Sequence, residues 1–327
     1  MSEPTPSQPP LPDGFVLRAP ILADADEVAA LVNAVTLAET SVATTDRESI
    51  LAQWEDPLRT LEDEDWLIVA PDGKIAAYLE LYDYEPYTLF EFDGYVHPDF
   101  VGRGLGTALL DIIEPRARRE LHRATPSEPV FLRTRSWSAA TSTHALLTRH
   151  DFEHVRDWRR MRIELDVPPP TAIWSPGITV RRFVRGQDEE AVWEASEAAF
   201  ADHFGSMPMP LDEFVYYRID SISSFNPELW FLAMDDDTVT GILLAHTEDA
   251  RLPEGAWVAL LGVRREYRGG GIGLALLHEA FGDFYDRGLH AVGLDVDGSS
   301  LTGADRLYER AGMHEVQRAF YFDKQLT

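Results

Sequence analysis

A glycine-rich stretch between an apolar run and a helical pattern constrains the fold of this chain more than any other feature. The stretch is Arg268–Gly273, in which four of the six residues are glycine. Before it, Ala256–Val263 is an apolar run of strand length, and after it apolar residues recur at helical spacing from Leu274 to Phe284. A glycine turn at a helix start leaves backbone N–H groups unpaired and unobstructed. The stretch therefore predicts a strand, a turn and a helix whose first N–H groups can bind a phosphate.

The same arrangement occurs earlier in the chain. Gly104 and Gly106 follow an apolar run that ends at Val96, and a second helical pattern comes after them. Val96 corresponds to Val263 and Gly104 to Gly271, each at an offset of 167 (263 − 96 and 271 − 104). A near-constant offset over half the chain indicates a duplicated domain.

The chain is therefore predicted to contain two domains, a tail and a linker. Its 327 residues exceed what a single core usually holds. Proline-rich composition predicts a flexible tail at residues 1–13 and a linker at residues 167–176. The two domains are then residues 14–166 and 177–327.

The sequence also makes two local predictions, one inside a helix and one in the linker. Pro115 lies inside the helix that follows Gly106 and cannot donate to the carbonyl of Asp111, so the helix should kink or end there. In the linker, Ile173 and Trp174 should pack on a domain, although proline stiffens the rest of the segment.

Composition narrows the classes of function. Cysteine is absent, which removes thiol nucleophiles, disulfides and Cys-based zinc sites, and no metal site is predicted. The net charge of −27 argues against nucleic acid or an anionic membrane as a partner and is compatible with a cationic amine substrate. An acidic surface that only keeps the protein soluble fits equally well. With no run of 18 apolar residues and no signal-peptide pattern, a cytoplasmic location is expected.

The glycine turns resemble motif A of the GNAT N-acetyltransferase superfamily. That motif has Arg or Gln, two residues, glycine, one residue, then glycine or alanine, between a strand and a helix, as at Arg268–Gly273. The run Leu294–Met313, with Leu307, Tyr308 and Glu309 in its short helix, is similar to motif B. The resemblance covers both halves and is closest to tandem GNAT proteins of the mycothiol-synthase-like group. It implies an α/β fold: two tandem GNAT-fold domains, each a mixed, mostly antiparallel sheet flanked by helices.

The resemblance also implies an N-acetyltransferase that uses acetyl-CoA and acetylates a small-molecule primary amine by direct attack. Tyr308 matches the tyrosine that protonates the CoA thiolate in the family. Asp202 and His203 lie where GNAT folds form the acceptor pocket and are candidate substrate contacts. The candidate cofactor-binding residues of the second half are Leu261, Gly262, Val263, Arg268, Gly269, Gly270, Gly271, Ile272, Gly273 and Ser300.

The two halves are not equivalent. Val101 stands where motif A expects Arg or Gln, and Leu147 stands opposite Tyr308. Because leucine cannot donate a proton, we expect a degenerate N-terminal domain and a catalytic C-terminal domain. The first half can still bind CoA through its retained candidate residues Val96, Arg103, Gly104 and Gly106.

The main alternative is a CoA-responsive binding or regulatory protein in which neither half turns over. A Rossmann site is poorly supported, since neither turn has Gly-x-Gly-x-x-Gly, and a Walker P-loop lacks its Gly-Lys-Ser/Thr. The sequence is compatible with a monomer that has pseudo-dimeric halves and with a homodimer. It does not identify the acceptor amine.

Overall fold

The computed structural model describes residues 10–57, 59–83, 85–124, 128–202, 208–222, 224–249, 251–298 and 304–327, without the side chains of residues 304 and 305. Contacts divide the chain into two compact units. The first unit comprises Met1–Asp157 and Ala319–Thr327, and the second comprises Trp158–Arg318.

The first half of the chain contains six strands and five helices within the described residues. The strands are β1 (Val16–Arg18), β2 (Asp65–Val69), β3 (Ile75–Asp83), β4 (Leu89–Val96), β5 (Phe131–Trp137) and β6 (Glu153–Glu164). The helices are α1 (Ala25–Thr40), α2 (Arg47–Trp54), α3 (Leu61–Glu64), α4 (Leu105–Arg119) and α5 (Thr141–Arg149).

The second half repeats this order in its described part. The strands are β7 (Ile178–Arg182), β8 (Trp230–Asp235), β9 (Thr238–His246), β10 (Ala256–Val263), β11 (Ala291–Asp297) and β12 (His314–Gln325). The helices are α6 (Glu189–Phe200), α7 (Leu211–Val215), α8 (Ile272–Asp286) and α9 (Ala304–Arg310). The strand predicted at Ala256–Val263 is confirmed with these bounds.

Each unit contains one sheet. In the first unit the strand order is β1-β2-β3-β4-β5 followed by the part of β12 from residue 319 onwards. In the second unit the order is β7-β8-β9-β10-β11 followed by the part of β6 from residue 158 onwards. The β4–β5 and β10–β11 pairs are parallel, and the other pairs within each unit are antiparallel. The predicted mixed, mostly antiparallel sheet is therefore present in both units.

Successive apolar residues of the central strands pack against helices on opposite faces of the second sheet. In β9, Ile242 and Leu244 belong to an apolar cluster with residues of α6 and α7, whereas Leu243 and Ala245 belong to a cluster with residues of α8. Successive side chains of a strand point to opposite faces. A strand that is covered on both faces therefore reads as a continuous apolar run in the sequence.

Each unit takes one strand segment from the other half of the sequence. Residues 158–164 pair with β11, and residues 319–325 pair with β5. In the first unit, the guanidinium of Arg133 donates to both carboxylate oxygens of Asp323 at 2.7 Å. The predicted domain bounds, 14–166 and 177–327, describe the repeats of sequence and stay a prediction. Contacts assign residues 158–166 and 319–327 to the unit formed mainly by the other repeat.

The expectation that helix α4 ends at Pro115 is wrong, because the helix continues to Arg119, and a kink at that residue stays a prediction. Pro115 is exposed, while Ile113, Arg116 and Ala117 on the other side of the helix are buried. Their packing outweighs the missing hydrogen bond, which typically costs about 3 kcal/mol.

In the linker, the two hydrophobic residues behave differently. Trp174 packs against the main apolar cluster of the second unit, as expected. Ile173 remains 85% exposed, so the expectation that it packs on a domain is wrong.

Candidate active site

Strand β10 separates from its parallel neighbour β11 soon after the two strands meet. They pair at the first two residues of β10, Ala256 and Trp257, whereas β10 stays paired with β9 as far as Val263. A bulge at Ala259 interrupts the β9–β10 ladder. Alternate residues of a strand direct their N–H and C=O groups to opposite edges, so part of the backbone of Leu261–Val263 faces the gap. Leu261, Gly262 and Val263 are three of the cofactor-binding candidates from the sequence, and backbone that faces the gap could bind the pantetheine of CoA.

Gly262 has a packing role within that segment. A Cβ atom at this position would lie 2.9 Å from the Cβ of Ala199 and 2.9 Å from a ring carbon of Phe200. Glycine is therefore required because the end of α6 lies against β10, and no ligand is needed to explain it.

The turn before α8 has the geometry of an open anion cradle. Gly269 and Gly271 have φ angles of +83° and +84°, which L side chains rarely adopt, and an added Cβ at either would meet nothing within 4 Å. Gly271 caps α8 and has no side chain, so the first N–H groups of the helix stay available. The hydroxyl of Ser175 donates to the carbonyl of Gly270 at 2.5 Å. At Gly273 a Cβ would lie 3.1 Å from Leu307, which explains that glycine by the contact of α8 with α9. The open turn and the adjacent gap fit a CoA pyrophosphate and pantetheine.

The side chain of Arg268 is bonded to the protein rather than free for a ligand. Its Nε donates to the carbonyl of Val263 at 3.1 Å, and Nη2 donates to the carbonyl of Ala199 at 2.7 Å. Nη1 lies 3.0 Å from Oδ2 of Asp202, and this hydrogen bond lowers the pKa of Asp202. The structure thus brings together two residues for which the sequence predicted separate roles, cofactor and substrate contact. These bonds hold the end of α6 against the start of the glycine turn.

Tyr308 lies in the core of the second unit. It is buried in the same apolar cluster as Leu276, Leu277 and Met313, and burial raises the pKa of its phenol. The hydroxyl therefore keeps its proton at neutral pH, as a proton donor must. Burial also fits a core aromatic, and the role of acid stays a prediction. His203 and Ser300, the remaining candidates of this half, lie outside the described residues.

The first unit repeats the turn with different side chains. Gly102 and Gly104 have φ angles of +81° and +84° and open space in front of them. A Cβ at Gly106 would lie 2.8 Å from Leu146, as one at Gly273 would lie near Leu307. This contact places Leu147 at the position of Tyr308.

The side chains that flank the first turn differ from those of the second. Val101 is 59% exposed at the position of Arg268. Arg103 lies over the ring of Phe100, at 5.0 Å from its centroid, and donates to the carbonyl of Asp99 at 3.4 Å. The β3–β4 ladder, which includes Val96, shows no bulge. The first turn thus keeps the backbone cradle without the arginine that holds the second one.

The first unit contains a group of ionisable side chains around the buried Glu80 that the sequence did not predict. Glu80 of β3 and Asp93 of β4 are directly opposite each other in the ladder and share one face of the sheet. Burial together with the charge of Asp93 raises the pKa of Glu80 to about 7. The hydroxyl of Tyr78 lies 3.0 Å from Oε2 of Glu80, and the amide of Gln53 also donates to that oxygen.

The second unit has leucines at these positions. Val96 pairs with Ala77 and Val263 with Gly241, so β3 and β9 correspond at an offset of 164 (241 − 77). Glu80 then corresponds to Leu244 by this offset, and Asp93 to Leu260 by the offset of 167. The signal in the sequence was the alternation of polar residues with apolar ones in both strands of the first half.

The structure contains neither a membrane-crossing helix nor a cluster of metal ligands among its described residues. None of the helices there combines the length and apolar character that a bilayer crossing requires. No group of three or more His, Asp or Glu side chains in the same residues is placed to share a metal ion.

Comparison with known proteins agrees with this arrangement of turn, gap and sheet. The model of the acetyltransferase (GNAT) family matches residues 30–129 and 191–313. A mycothiol acetyltransferase of Nocardiopsis dassonvillei is 33% identical over 66% of this chain and 69% of its own length. One of Thermobispora bispora is 31% identical over 82% of this chain and 92% of its own length.

Two solved structures extend the comparison to the fold. A GCN5-related N-acetyltransferase from Sphaerobacter thermophilus has a TM-score of 0.83 and 39% identity, and covers 97% of both chains. A tandem GNAT protein from the clavulanic acid biosynthesis pathway has a TM-score of 0.71 at 15% identity, which shows the fold alone. It covers 95% of this chain and 98% of its own.

The fold and the glycine cradle define an acyltransferase architecture that occurs twice in one polypeptide. The chain belongs to the GNAT acetyltransferase family. The predicted fold, two tandem GNAT-fold domains, is confirmed, and so is the prediction of a GNAT-type acyltransferase.

Proposed function

We propose that the second unit transfers an acetyl group from acetyl-CoA to a small-molecule primary amine. The main observation behind this proposal is the turn before α8. There Gly269 and Gly271 leave open space in front of helix N–H groups to which no capping side chain bonds. The adjacent gap beside Leu261–Val263 supports it, because unpaired backbone there can bind pantetheine and polarise a thioester carbonyl.

The residues of the second unit support direct attack by the amine. Acetyl-CoA supplies an activated acetyl group as a thioester. The chain has no cysteine, and an amine that attacks the carbonyl directly needs no enzyme nucleophile. As the carbon–sulfur bond breaks, the thiolate takes a proton, for which Tyr308 is the proposed donor. A positioned acid of this kind is typically worth about 10²–10⁴-fold in rate.

The acceptor must lose protons to react. For an alkylamine with a pKa of about 10.4, deprotonation at pH 7 costs roughly 4–5 kcal/mol. A base, or a chain of waters that leads to one, is therefore part of the proposed site. Asp202 is bonded to Arg268, so its position favours a structural contact over that role.

The acceptor amine and the cellular location stay predictions. Relatives with the name mycothiol acetyltransferase make a sugar-linked amine one candidate acceptor. A cytoplasmic location is proposed on the sequence alone, and so is an assembly that is either a monomer or a homodimer. The alternative is a CoA-responsive regulatory protein. Glu80 and Asp93 favour it, because acetyl transfer in the second unit does not use these ionisable groups of the first unit.

A thiol-release screen tests the proposal. The full-length protein is incubated with acetyl-CoA and a panel of diverse primary amines, and free CoA thiol is measured. We expect amine-dependent release with at least one acceptor and an N-acetylated product by mass spectrometry. CoA binding without amine-dependent release across the panel would favour the regulatory alternative.

A further inference from the structure

One arginine of the second unit lies in a segment that packs near β10 and has no role in the chemistry described so far. Helix α7 continues as a wider helical turn over Tyr216–Asp220, which includes Arg218. Phe214 and Ile219 of this segment are buried in an apolar cluster, against which Leu260 of β10 also packs. The segment therefore covers the sheet face at which β10 leaves β11.

Arg218 is half-buried and has no counter-ion among the described residues. Its Nε has no exposed surface and no hydrogen-bond partner within the parts of the chain that the structure describes. Burial lowers the pKa of Arg218, and no carboxylate opposes that effect. The carboxylate two residues away, Asp220, is paired with Arg185 at 2.6 Å. Residues 203–207 and 223, which lie outside the described part, contain no Asp or Glu.

The repeat shows what this position contacts in the other unit. The offset of 164 that relates Ala77 to Gly241 also relates Trp54 to Arg218 (218 − 54). Trp54 is buried, and its indole N–H donates to the hydroxyl of Tyr78 on β3 at 3.1 Å. In the first unit this helical position thus reaches the face of the central strands.

In the second unit the two corresponding positions of β9 have no group that could pair with a guanidinium. Tyr78 corresponds to Ile242 and Glu80 to Leu244, by the same offset of 164. Both residues are apolar and fully buried. A half-buried arginine whose Nε is buried without a partner in the described part of the chain carries a desolvation penalty that an anion can offset.

We propose that Arg218 binds an anionic group of the acyl acceptor, so that the substrate of the second unit is a small amine that also carries a carboxylate or a phosphate. This inference rests on the proposed function and narrows its acceptor class. A guanidinium presents a planar fork of N–H donors that matches either oxyanion. The net charge of −27 is compatible with a cationic acceptor, whereas Arg218 offers a positive charge at one place.

Matched amine pairs test the proposal through turnover. β-Alanine is compared with β-alaninamide, and phosphoethanolamine with ethanolamine, each in wild-type protein, Arg218→Met and Arg218→Lys. We expect wild type to prefer the anionic member of at least one pair by about 10–100-fold in kcat/KM, the value of one charge-assisted bond. Arg218→Met should abolish that preference, and Arg218→Lys should retain part of it. Arg185→Met, which removes the exposed arginine that pairs with Asp220 of this segment, is the control and should keep it.

A second measurement does not depend on turnover. Melting temperatures are recorded with CoA present, with and without inorganic phosphate or acetate. Without these anions, Arg218→Met should melt above wild type, because it removes a half-buried charge that has no partner among the residues described. With them, wild type should gain stability that Arg218→Met does not gain.

The outcomes separate the inference from the function on which it rests. If no amine in any panel is acetylated, the proposed function fails, and the anion-dependent melting shift alone decides the role of Arg218. If amines are acetylated without preference for the anionic member and the variants behave as wild type, the function stands and the inference is overturned. Weaker CoA binding by Arg218→Met in calorimetry would also overturn it, since the anion would then belong to CoA.

Discussion

Gly271→Glu and Gly104→Glu form a matched pair of substitutions that decides which unit uses its glycine turn. Both glycines cap a helix with φ +84° and ψ 0°, and a Cβ at either meets nothing within 4 Å. A non-glycine residue in this left-handed conformation typically costs about 1–2 kcal/mol. Because this strain is the same at both sites, both variants should lose similar stability and stay folded.

The effect of Gly271→Glu on binding follows from the groups that the turn offers. Each N–H bond to a phosphate is worth about 1.5–3 kcal/mol, and the helix dipole adds about 0.3–1 kcal/mol. Loss of two such bonds and of the dipole contact corresponds to about 3–7 kcal/mol, or roughly 10²–10⁵-fold in affinity. The glutamate also fills the phosphate space and repels the ligand, so the lower figure is the minimum that we expect.

Calorimetry with CoA and steady-state acetyl transfer measure the two variants, after circular dichroism and melting curves show both folded. Gly271→Glu should eliminate turnover and remove CoA binding by the second unit, whereas Gly104→Glu should leave turnover nearly intact. Loss of activity in Gly104→Glu alone would reverse the assignment and make the first unit the enzyme. Undiminished CoA affinity at the second turn in folded Gly271→Glu would refute the phosphate-cradle reasoning itself.

Three further substitutions test individual side chains. Tyr308→Phe keeps the buried ring and removes the hydroxyl, so single-turnover rates should fall about tenfold to 10³-fold with CoA affinity unchanged; unchanged rates would leave Tyr308 a core aromatic. Glu80 has a pKa of about 7 in the folded protein and about 4.3 unfolded, so the folded chain binds more protons between these values. The free energy of unfolding should therefore fall by up to about 3 kcal/mol as the pH rises from about 4.5 to 7, and Glu80→Gln should flatten that slope in denaturant titrations. An equal slope in the variant would show that another group, such as Asp93, takes the proton. Asp202→Asn weakens a half-exposed pair with Arg268 and should cost less than about 1 kcal/mol of stability. It should leave the KM for the acceptor unchanged, whereas a substrate contact would raise it.

Local features of this chain could be predicted from its sequence because they depend on neighbouring residues. The strand Ala256–Val263, the turn at Gly271 and the helix after it follow from apolar spacing and from the conformational freedom of glycine. The tandem arrangement followed from a near-constant offset between repeats. Both kinds of signal can be recognised in the sequence without knowledge of tertiary contacts.

Features that depend on distant partners could not be predicted. The bond between Arg268 and Asp202 joins residues 66 positions apart, and each alone looked like a ligand contact. The opposition of Glu80 and Asp93 depends on the register of β3 against β4, which no local pattern specifies. The prediction at Pro115 considered only the hydrogen bond that proline removes. The burial of the opposite helix face keeps α4 continuous despite that loss.

The division of the chain into units has a consequence for biosynthesis. Residues 158–318 form a continuous unit, whereas the first unit needs residues 319–327, which pair with β5 and supply Asp323 to Arg133. These residues are synthesised 162 positions after residue 157 (319 − 157). At about 5–20 residues per second, the first unit waits roughly 10–30 s on the ribosome with one edge of its sheet open. Translation thus reverses the usual order of domain maturation, because the half that is made first is the half that is finished last.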